Sequence, residues 1–404
     1  MRTARTPLPK GFATLWTTVA LDLVGFGIVV PILGRYAERY GASGFEVGLL
    51  FASFSLAQLI CAPLLGRLSD RIGRKPVILI SLLGTAVGSF ITGAAGALWV
   101  LFLGRIIDGA SGASVAVAQG AVTDIAPVSD RPRLLGLLGA AFGVGFVIGP
   151  ALGGLASLGG THVPFYVAGT LALINAAVAW FRLPETRPRS SLALQDPAID
   201  EVPAPAVPAN LSRPAVRLWG LAVVGFIAIV AFSGFEATFS LLIGARFGLT
   251  EAGVGAVFVG VGVVLVGVQA GLVRPVNVRL GTVLSLRVGL LFNVIGLGTL
   301  SVAESWLLLI VALAFLTVGQ GLVSPNLSTL VAGGVPDERR GEALGFQQGV
   351  NAAGRVAGPA MAGVLYDRVS VGVDFGSPYL VGAVLCGLAL IATTSRYTSP
   401  TKDV

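Results

Sequence analysis

Long apolar runs limit what this chain can fold into more than any other feature. Runs of roughly 18 or more apolar residues, the length that crosses about 30 Å of hydrocarbon, recur along the chain. A soluble fold of this length would need a polar surface, yet only 12% of the residues are charged and 54% are hydrophobic. Since the runs do not alternate between apolar and polar residues, they predict helices rather than barrel strands. We therefore expect an all-α membrane protein.

Twelve candidate spans divide into two sets of six. The predicted spans cover residues 12–33, 45–65, 76–96, 98–120, 134–158, 163–182, 215–243, 251–273, 283–302, 305–330, 342–366 and 376–395. The segment between the sixth and seventh is rich in Pro, Ala and charge, which is typical of a flexible linker. We predict an N-terminal six-helix bundle at residues 1–182, a cytoplasmic linker at 183–214 and a C-terminal six-helix bundle at 215–404.

The distribution of basic residues predicts the orientation of the spans. If the N-terminus is inside, 21 of the 27 Lys and Arg residues lie in inside segments, four lie in outside loops and two lie within spans. Lys and Arg collect in the cytoplasmic loops of membrane proteins. We therefore expect a multi-pass protein of the cell inner or plasma membrane with both termini in the cytoplasm.

The two halves repeat each other. The segment GVGFVIGPALGGLA at 143–156 aligns with AAGRVAGPAMAGVL at 352–365 at a constant offset, so that Gly145, Gly149, Pro150 and Gly154 meet Gly354, Gly358, Pro359 and Gly363. Two parallel six-helix repeats with a binding site at their interface are typical of a transporter.

A charged loop, GRLSDRIGRKP at 66–76, separates the second and third spans. Its glycines allow a sharp turn and close packing. Asp70 is expected to face the N-terminal end of helix 11, where unsatisfied N–H groups favour an acid. The plainer interpretation is an anchor that only sets orientation, but an anchor needs Arg and Lys rather than a central Asp.

Several motifs together resemble the major facilitator superfamily, and in particular its proton-coupled drug exporters. The loop pattern Gly66-x-Leu68-x-Asp70-Arg71-x-Gly73-Arg74-Lys75 is similar to the signature loop of that superfamily. Helix 4 carries LFLGRIIDGASGA, and helix 5 carries the antiporter-like motif Gly145, Gly149, Pro150, Gly153 and Gly154. Helix 1 reads LDLVGFGIVVPIL, which resembles the corresponding helix of tetracycline efflux proteins.

The resemblance implies a fold, an activity and a set of site residues. The implied fold is two pseudo-symmetric six-helix bundles, and the implied activity is export of a small amphipathic or lipophilic compound in exchange for protons. A charge cluster would hold the inner side shut while the outer side is open; this latch comprises Gly66, Asp70, Arg71, Gly73, Arg74 and Asp124. A lipid or glycolipid flippase, a sugar or metabolite exporter, and a non-transporting membrane sensor remain as alternatives.

The helix 5 motif also has a physical interpretation. Gly145, Gly149 and Gly153 recur at every fourth residue, so they form a smooth face that another helix can approach closely. Pro150 removes one backbone donor and bends the helix. Close packing and a hinge between the two halves are the same device here.

Five charged residues fall within predicted spans: Asp22, Arg105, Asp108, Glu236 and Arg355. Each costs about 2.5–3.5 kcal/mol at mid-bilayer, so each is a candidate for function. Arg105 and Asp108 share one helical face, and Asp22 lies at a compatible depth. Burial favours a neutral carboxyl and a nearby Arg a charged one, so we predict that Asp22, Arg105 and Asp108 couple transport to protons. A static internal salt bridge is the alternative.

Substrate contacts are predicted at Asp22, Arg105, Glu236 and Arg355. Glu236 would meet a cationic group or instead gate the outer mouth, and Arg355 would pair with Glu236 or meet an anionic group. No Walker loop, zinc motif or nucleophile elbow is present in the sequence, so we expect neither an enzyme nor an ATP-driven pump. We expect protons as the coupling ion and no cofactor or metal. We also expect no nucleic-acid partner, membrane lipids around the protein, and a monomer.

Overall fold

The computed structural model of the chain describes residues 8–127, 130–186, 213–336, 340–367 and 376–396. Within these ranges every regular element is a helix. Most of the predicted linker, residues 187–212, lies outside them. The all-α membrane fold that the apolar runs predict is confirmed.

Six helices precede the linker. We label them α1 (Phe12–Glu38), α2 (Gly44–Ile72), α3 (Arg74–Gly93), α4 (Leu98–Ile125), α5 (Arg131–Ser157) and α6 (Val163–Arg182). Six more follow it: α7 (Arg213–Phe247), α8 (Glu251–Leu280), α9 (Thr282–Ser301), α10 (Trp306–Gly333), α11 (Arg340–Asp367) and α12 (Ser377–Arg396).

Eleven of these helices are long and apolar enough to cross a membrane, judged over the described residues alone. The remaining one, α11, has 28 residues but carries polar side chains in its interior, among them Gln347, Asn351 and Arg355. Since such side chains are costly against lipid, α11 is suited to facing protein or a water-filled cavity.

The predicted boundaries need three corrections. A loop was predicted at 66–76, but α2 continues to Ile72 and α3 begins at Arg74, so the charged loop consists of these two helix ends joined by Gly73. The fourth span was predicted as one continuous helix at 98–120, but α4 is interrupted at Gly112 and Ala113 and continues from Ser114 to Ile125. A loop was predicted at 274–282, but α8 continues to Leu280 through a five-residue π-helical segment, Val268–Leu272. Hydropathy gave the wrong end for α8 because Arg274, Asn277 and Arg279 are polar residues that the helix nevertheless accommodates.

A single glycine makes the turn in each half. Gly73 joins α2 to α3 with φ of 104°, and Gly281 joins α8 to α9 with φ of 77°. An L-residue with a Cβ is strained in this left-handed region, whereas glycine adopts it readily. These two positions therefore require glycine on backbone grounds alone.

The packing divides the described chain into two compact units. The first holds α1 up to Ile32, α2 from Leu56, and α3 to α6. The second holds residues 33–55, which are the end of α1 and the start of α2, together with α7 to α12. The first core includes Leu15, Leu82, Val117 and Leu134. The second unit has two clusters, one around Phe235, Phe239 and Phe258 and one around Leu290 and Leu327.

Candidate functional site

Asp22 on α1 is held by a hydroxyl from the break in α4. The Ser114 hydroxyl donates a hydrogen bond to Asp22 Oδ2. Ser114 is only 3% exposed and is the first residue of the second segment of α4. The sequence analysis did not identify Ser114. The run of small residues GASGAS at 109–114 was the available signal, because Gly and Ser favour helix ends over helix interiors.

The break in α4 is stabilised by a side chain from α2. Gln58 Nε2 donates to the Gly112 carbonyl at 2.8 Å. Helix interruption leaves carbonyl groups without a partner in the helix, and a buried carbonyl needs another donor. Gln58 supplies that donor, so the interruption is a built feature of the first unit.

Arg105 forms its ion pair with Asp108 on the same helix. Arg105 Nη1 lies 2.7 Å from Asp108 Oδ2, and the two residues are 2% and 8% exposed. Thr85 on α3 lies near the Asp108 carboxylate. The predicted shared face of Arg105 and Asp108 is confirmed, whereas the predicted partnership of Arg105 with Asp22 is not what this structure contains.

The glycine face of α5 packs directly beside Asp22. A Cβ on Gly145 would lie 2.7 Å from the Leu23 carbonyl oxygen, and one on Gly149 would lie 2.6 Å from Gly27 Cα. Gly153 approaches Ile28 in the same way. Both Pro150 and Gly154 are buried in the same helix. The α5 motif therefore packs closely against α1 in the helical turns that follow Asp22.

The charged loop places one arginine between two carboxylates. Arg74 Nη1 lies 2.9 Å from Asp70 Oδ1, and Arg74 Nε lies 2.9 Å from Asp124 Oδ2. Arg74 Nη1 also donates to Ser69 Oγ at 2.6 Å. The structure thus brings Asp70, Arg74 and Asp124 together, whereas Arg71 is exposed to solvent.

A further carboxylate caps the helix that starts in this loop. Glu185 accepts hydrogen bonds from the backbone N–H groups of Arg74 at 2.9 Å and Lys75 at 3.2 Å, at the first turn of α3. An acid is favoured at this helix end by the free N–H groups and the helix dipole. Gly73 leaves the space, because a Cβ there would collide with the Glu185 carboxylate. Sequence reasoning missed Glu185, which lies more than 100 positions away.

The second unit holds its own buried carboxyl group. Glu236 on α7 is 7% exposed, and its Oε1 atom has no hydrogen-bond partner among the described residues. Arg355 on α11 acts on it electrostatically, but the two do not form an ion pair within 4.0 Å in the part of the chain that is described. The predicted neighbourhood of Glu236 and Arg355 is therefore present without a direct contact.

The same unit contains a small cavity of about 10 Å³, roughly the room that one water molecule needs, with uncharged walls. It lies between α7, α10 and α11, and its polar lining consists of Gln320, Ser324, Gln347 and Asn351. Asn351 Oδ1 is buried beside Gly225 and accepts no hydrogen bond from any described group. This cavity offers hydrogen bonds without charge.

The start of α2 is fixed by the end of α11. Asp367 Oδ1 accepts from Gly44 N at 2.6 Å, and Asp367 Oδ2 accepts from Phe45 N at 3.0 Å. Gly48 on α2 faces Pro359 so closely that a Cβ would collide with its carbonyl. A carboxylate at a helix N-terminus and small residues at the crossing hold these two helix ends together.

The sequence profile of the Major Facilitator Superfamily matches residues 15–284 and 272–403. The tetracycline resistance protein of class E from Escherichia coli is 33% identical over 384 residues, which covers 93% of this chain and 91% of that protein. Multidrug resistance protein 1 of Bacillus subtilis (strain 168) is 27% identical over 391 residues and 96% of each chain.

The fold is similar to that of solved transporters. The crystal structure of the human organic anion transporter MFSD10 (TETRAN) superposes with a TM-score of 0.72 and 25% sequence identity, and the match covers 95% of this chain and 98% of that one. The family and the fold are those of transporters rather than of enzymes.

Proposed function

This chain belongs to the major facilitator superfamily of transporters, and on that premise we propose that it exports a small amphipathic compound in exchange for protons. The resemblance to tetracycline and multidrug resistance proteins supports the direction and the type of substrate. We further propose that it works as a monomer in the inner or plasma membrane, with both termini in the cytoplasm and no cofactor besides the proton.

The observation that carries this proposal is the contrast between two carboxyl groups in the first unit. Asp108 is neutralised by Arg105 at 2.7 Å, while Asp22 is held by the neutral hydroxyl of Ser114 and has no ion pair among the described residues. A carboxyl group inside a membrane span without a cation gains little from staying charged. Asp22 is thus suited to take up and release a proton, and Arg105 and Asp108 set the charge beside it.

Substrate binding is assigned to Asp22 and Arg105 in the first half and to Glu236 and Arg355 in the second. A cationic compound would bind near Glu236, whose Oε1 atom accepts no hydrogen bond from the described residues. An anionic group would bind near Arg355, and a single hydroxyl, carbonyl or amide group would fit the uncharged cavity around Asn351. The polar sites thus suit compounds that combine an apolar body with a few polar groups.

The test is proton release from purified protein when a compound is added. A pH dye in weakly buffered detergent solution should report acidification with tetracycline or with a lipophilic cation such as tetraphenylphosphonium. Phospholipid and glycolipid additions serve as the comparison. Acidification by lipid alone would support a flippase, and absence of acidification with every compound, together with unchanged uptake in vesicles, would overturn proton-coupled export.

The latch gives a separate prediction. In Asp70→Asn, Arg74 keeps Asp124 but loses one of its two carboxylates, so the protein should fold normally while transport falls about tenfold. Transport into inverted vesicles measures the loss, and Asp70→Glu, which keeps the charge, should restore part of it. The matched control is Asp130→Asn, which removes a partly buried carboxylate paired with the exposed Arg133 outside this cluster and should change little. Wild-type transport rates in Asp70→Asn would show that the charged loop only sets the orientation of the spans.

A further inference from the structure

The second segment of α4, Ser114–Ile125, touches the proposed proton site at one end and the charged loop at the other. Ser114 donates to Asp22, and Asp124 contacts Arg74 at 2.9 Å. The two residues are ten positions apart, which corresponds to about 15 Å along an α-helix. Both contacts are made by side chains of one short, continuous helical segment.

A break in the helix separates this segment from the rest of α4. The helix is interrupted at Gly112 and Ala113, and the freed Gly112 carbonyl is taken by Gln58 rather than by the helix itself. Arg105 and Asp108 lie on the other segment, before the interruption. A change in orientation of Ser114–Ile125 therefore need not disturb the Arg105–Asp108 pair.

We propose that Ser114 is a positioning residue that holds the Asp22 carboxylate and passes its charge state along Ser114–Ile125 to Asp124 and Arg74. This rests on the proposed role of Asp22 in proton coupling. The hydroxyl donates to a charged carboxylate, which is a strong hydrogen bond, and loses much of that interaction when Asp22 is protonated. The attachment of the segment to α1 is therefore weakened at the step at which the proton is bound.

The other groups facing Asp22 in this unit support the assignment. From α4, Asp108 acts on Asp22 electrostatically and is itself paired with Arg105. From α5, the neighbours of this stretch of α1 are the glycines 145 and 149, and from α6 the Asn175 amide donates to the Thr18 carbonyl at 2.8 Å. Ser114 is thus the group among these that bonds Asp22 directly.

The first experiment measures the carboxyl group itself. In the infrared spectrum of the purified full-length chain, a protonated carboxyl band that disappears in Asp22→Asn identifies Asp22. In Ser114→Ala, the position of this band and the pH midpoint of its titration should shift, the latter by about half a unit or more. Ser114→Thr keeps a hydroxyl and should restore both. This readout does not depend on transport, so an absence of proton-driven export would overturn the proposed function without affecting it.

The second experiment measures transmission. Cys61 and Cys386 are replaced with Ala, and Ile125, next to Asp124, is replaced with Cys. Labelling at this position should differ between acidic and alkaline buffer when Ser114 is present and should lose that difference in Ser114→Ala. Proton-driven transport should fall about tenfold in Ser114→Ala and recover in Ser114→Thr.

The matched control is Ser111→Ala, at the other side of the same interruption. The Ser111 hydroxyl lies against Gly84 on α3 and not against Asp22. This variant should leave the band, the titration and the labelling unchanged. An unshifted titration in Ser114→Ala would overturn the positioning role. A titration that shifts while labelling at position 125 still responds to pH would overturn the transmission.

Discussion

Asp22→Asn should abolish net proton-driven transport and leave exchange of substrate across the membrane intact. Asn at this position is permanently neutral, so it cannot release a proton, but its amide can still accept the hydrogen bond from Ser114. Net transport should fall by about a hundredfold or more, since coupling requires a group that titrates. The measurements are uptake driven by a pH gradient, exchange of labelled for unlabelled substrate in vesicles, and acidification on adding substrate.

Two further variants make the Asp22 result specific. Asp22→Glu keeps a carboxyl group and should retain part of the net transport. Asp108→Asn removes a carboxylate that is already paired with Arg105, so some substrate-induced acidification should remain. If Asp22→Asn still acidifies the solution when substrate is added, the proton role belongs to Asp108 or Glu236, and Asp22 only positions its neighbours.

Arg105→Ala should destabilise the first unit strongly. It leaves the Asp108 carboxylate buried, at 8% exposure, without the cation 2.7 Å away. Removing one partner of a buried ion pair costs about 3–5 kcal/mol, because the remaining charge is uncompensated. The measurement is the thermal unfolding midpoint in detergent, followed as the fraction that stays soluble and monodisperse after heating.

The double variant Arg105→Ala with Asp108→Asn tests the cause. Without either charge the desolvation penalty disappears, so most of the stability should return although transport should not. Arg105→Lys keeps a positive charge but loses the planar fork of the guanidinium group, so intermediate stability is expected. A double variant no more stable than Arg105→Ala would show that Arg105 acts through some other contact.

Sequence patterns predicted most of the spans because these depend on local properties. The apolar runs predicted the helices. The glycines at every fourth residue of α5 predicted a close approach by another helix, and in the structure that helix is α1. The i, i+3 spacing of Arg105 and Asp108 sufficed to predict their shared face. Each of these features depends on residues that are near one another in the chain.

The interruption of α4 and the cap on α3 could not be predicted in this way. The interruption needs the Gln58 side chain from another helix, 54 positions away, to satisfy the Gly112 carbonyl. The α3 cap needs Glu185, which arrives after three further helices. Asp22 was also predicted to act with Arg105, whose ion pair is with Asp108. Depth in the membrane indicates which groups lie at one level, but it does not indicate which of them are in contact.

The two glycine turns, Gly73 and Gly281, suggest what duplication preserved in this chain. Both halves retain the left-handed glycine, but the positions that correspond to Asp70 and Arg74 are Val278 and Thr282 in the second half. The backbone turn is therefore a requirement of the shared architecture, and a basic residue is kept as Arg71 and Arg279, whereas the Asp70–Arg74 ion pair belongs to one copy. Val278 is 79% exposed, so the second turn is an internal reference without the Asp70–Arg74 pair, against which the contribution of that pair to the first turn can be measured within a single molecule.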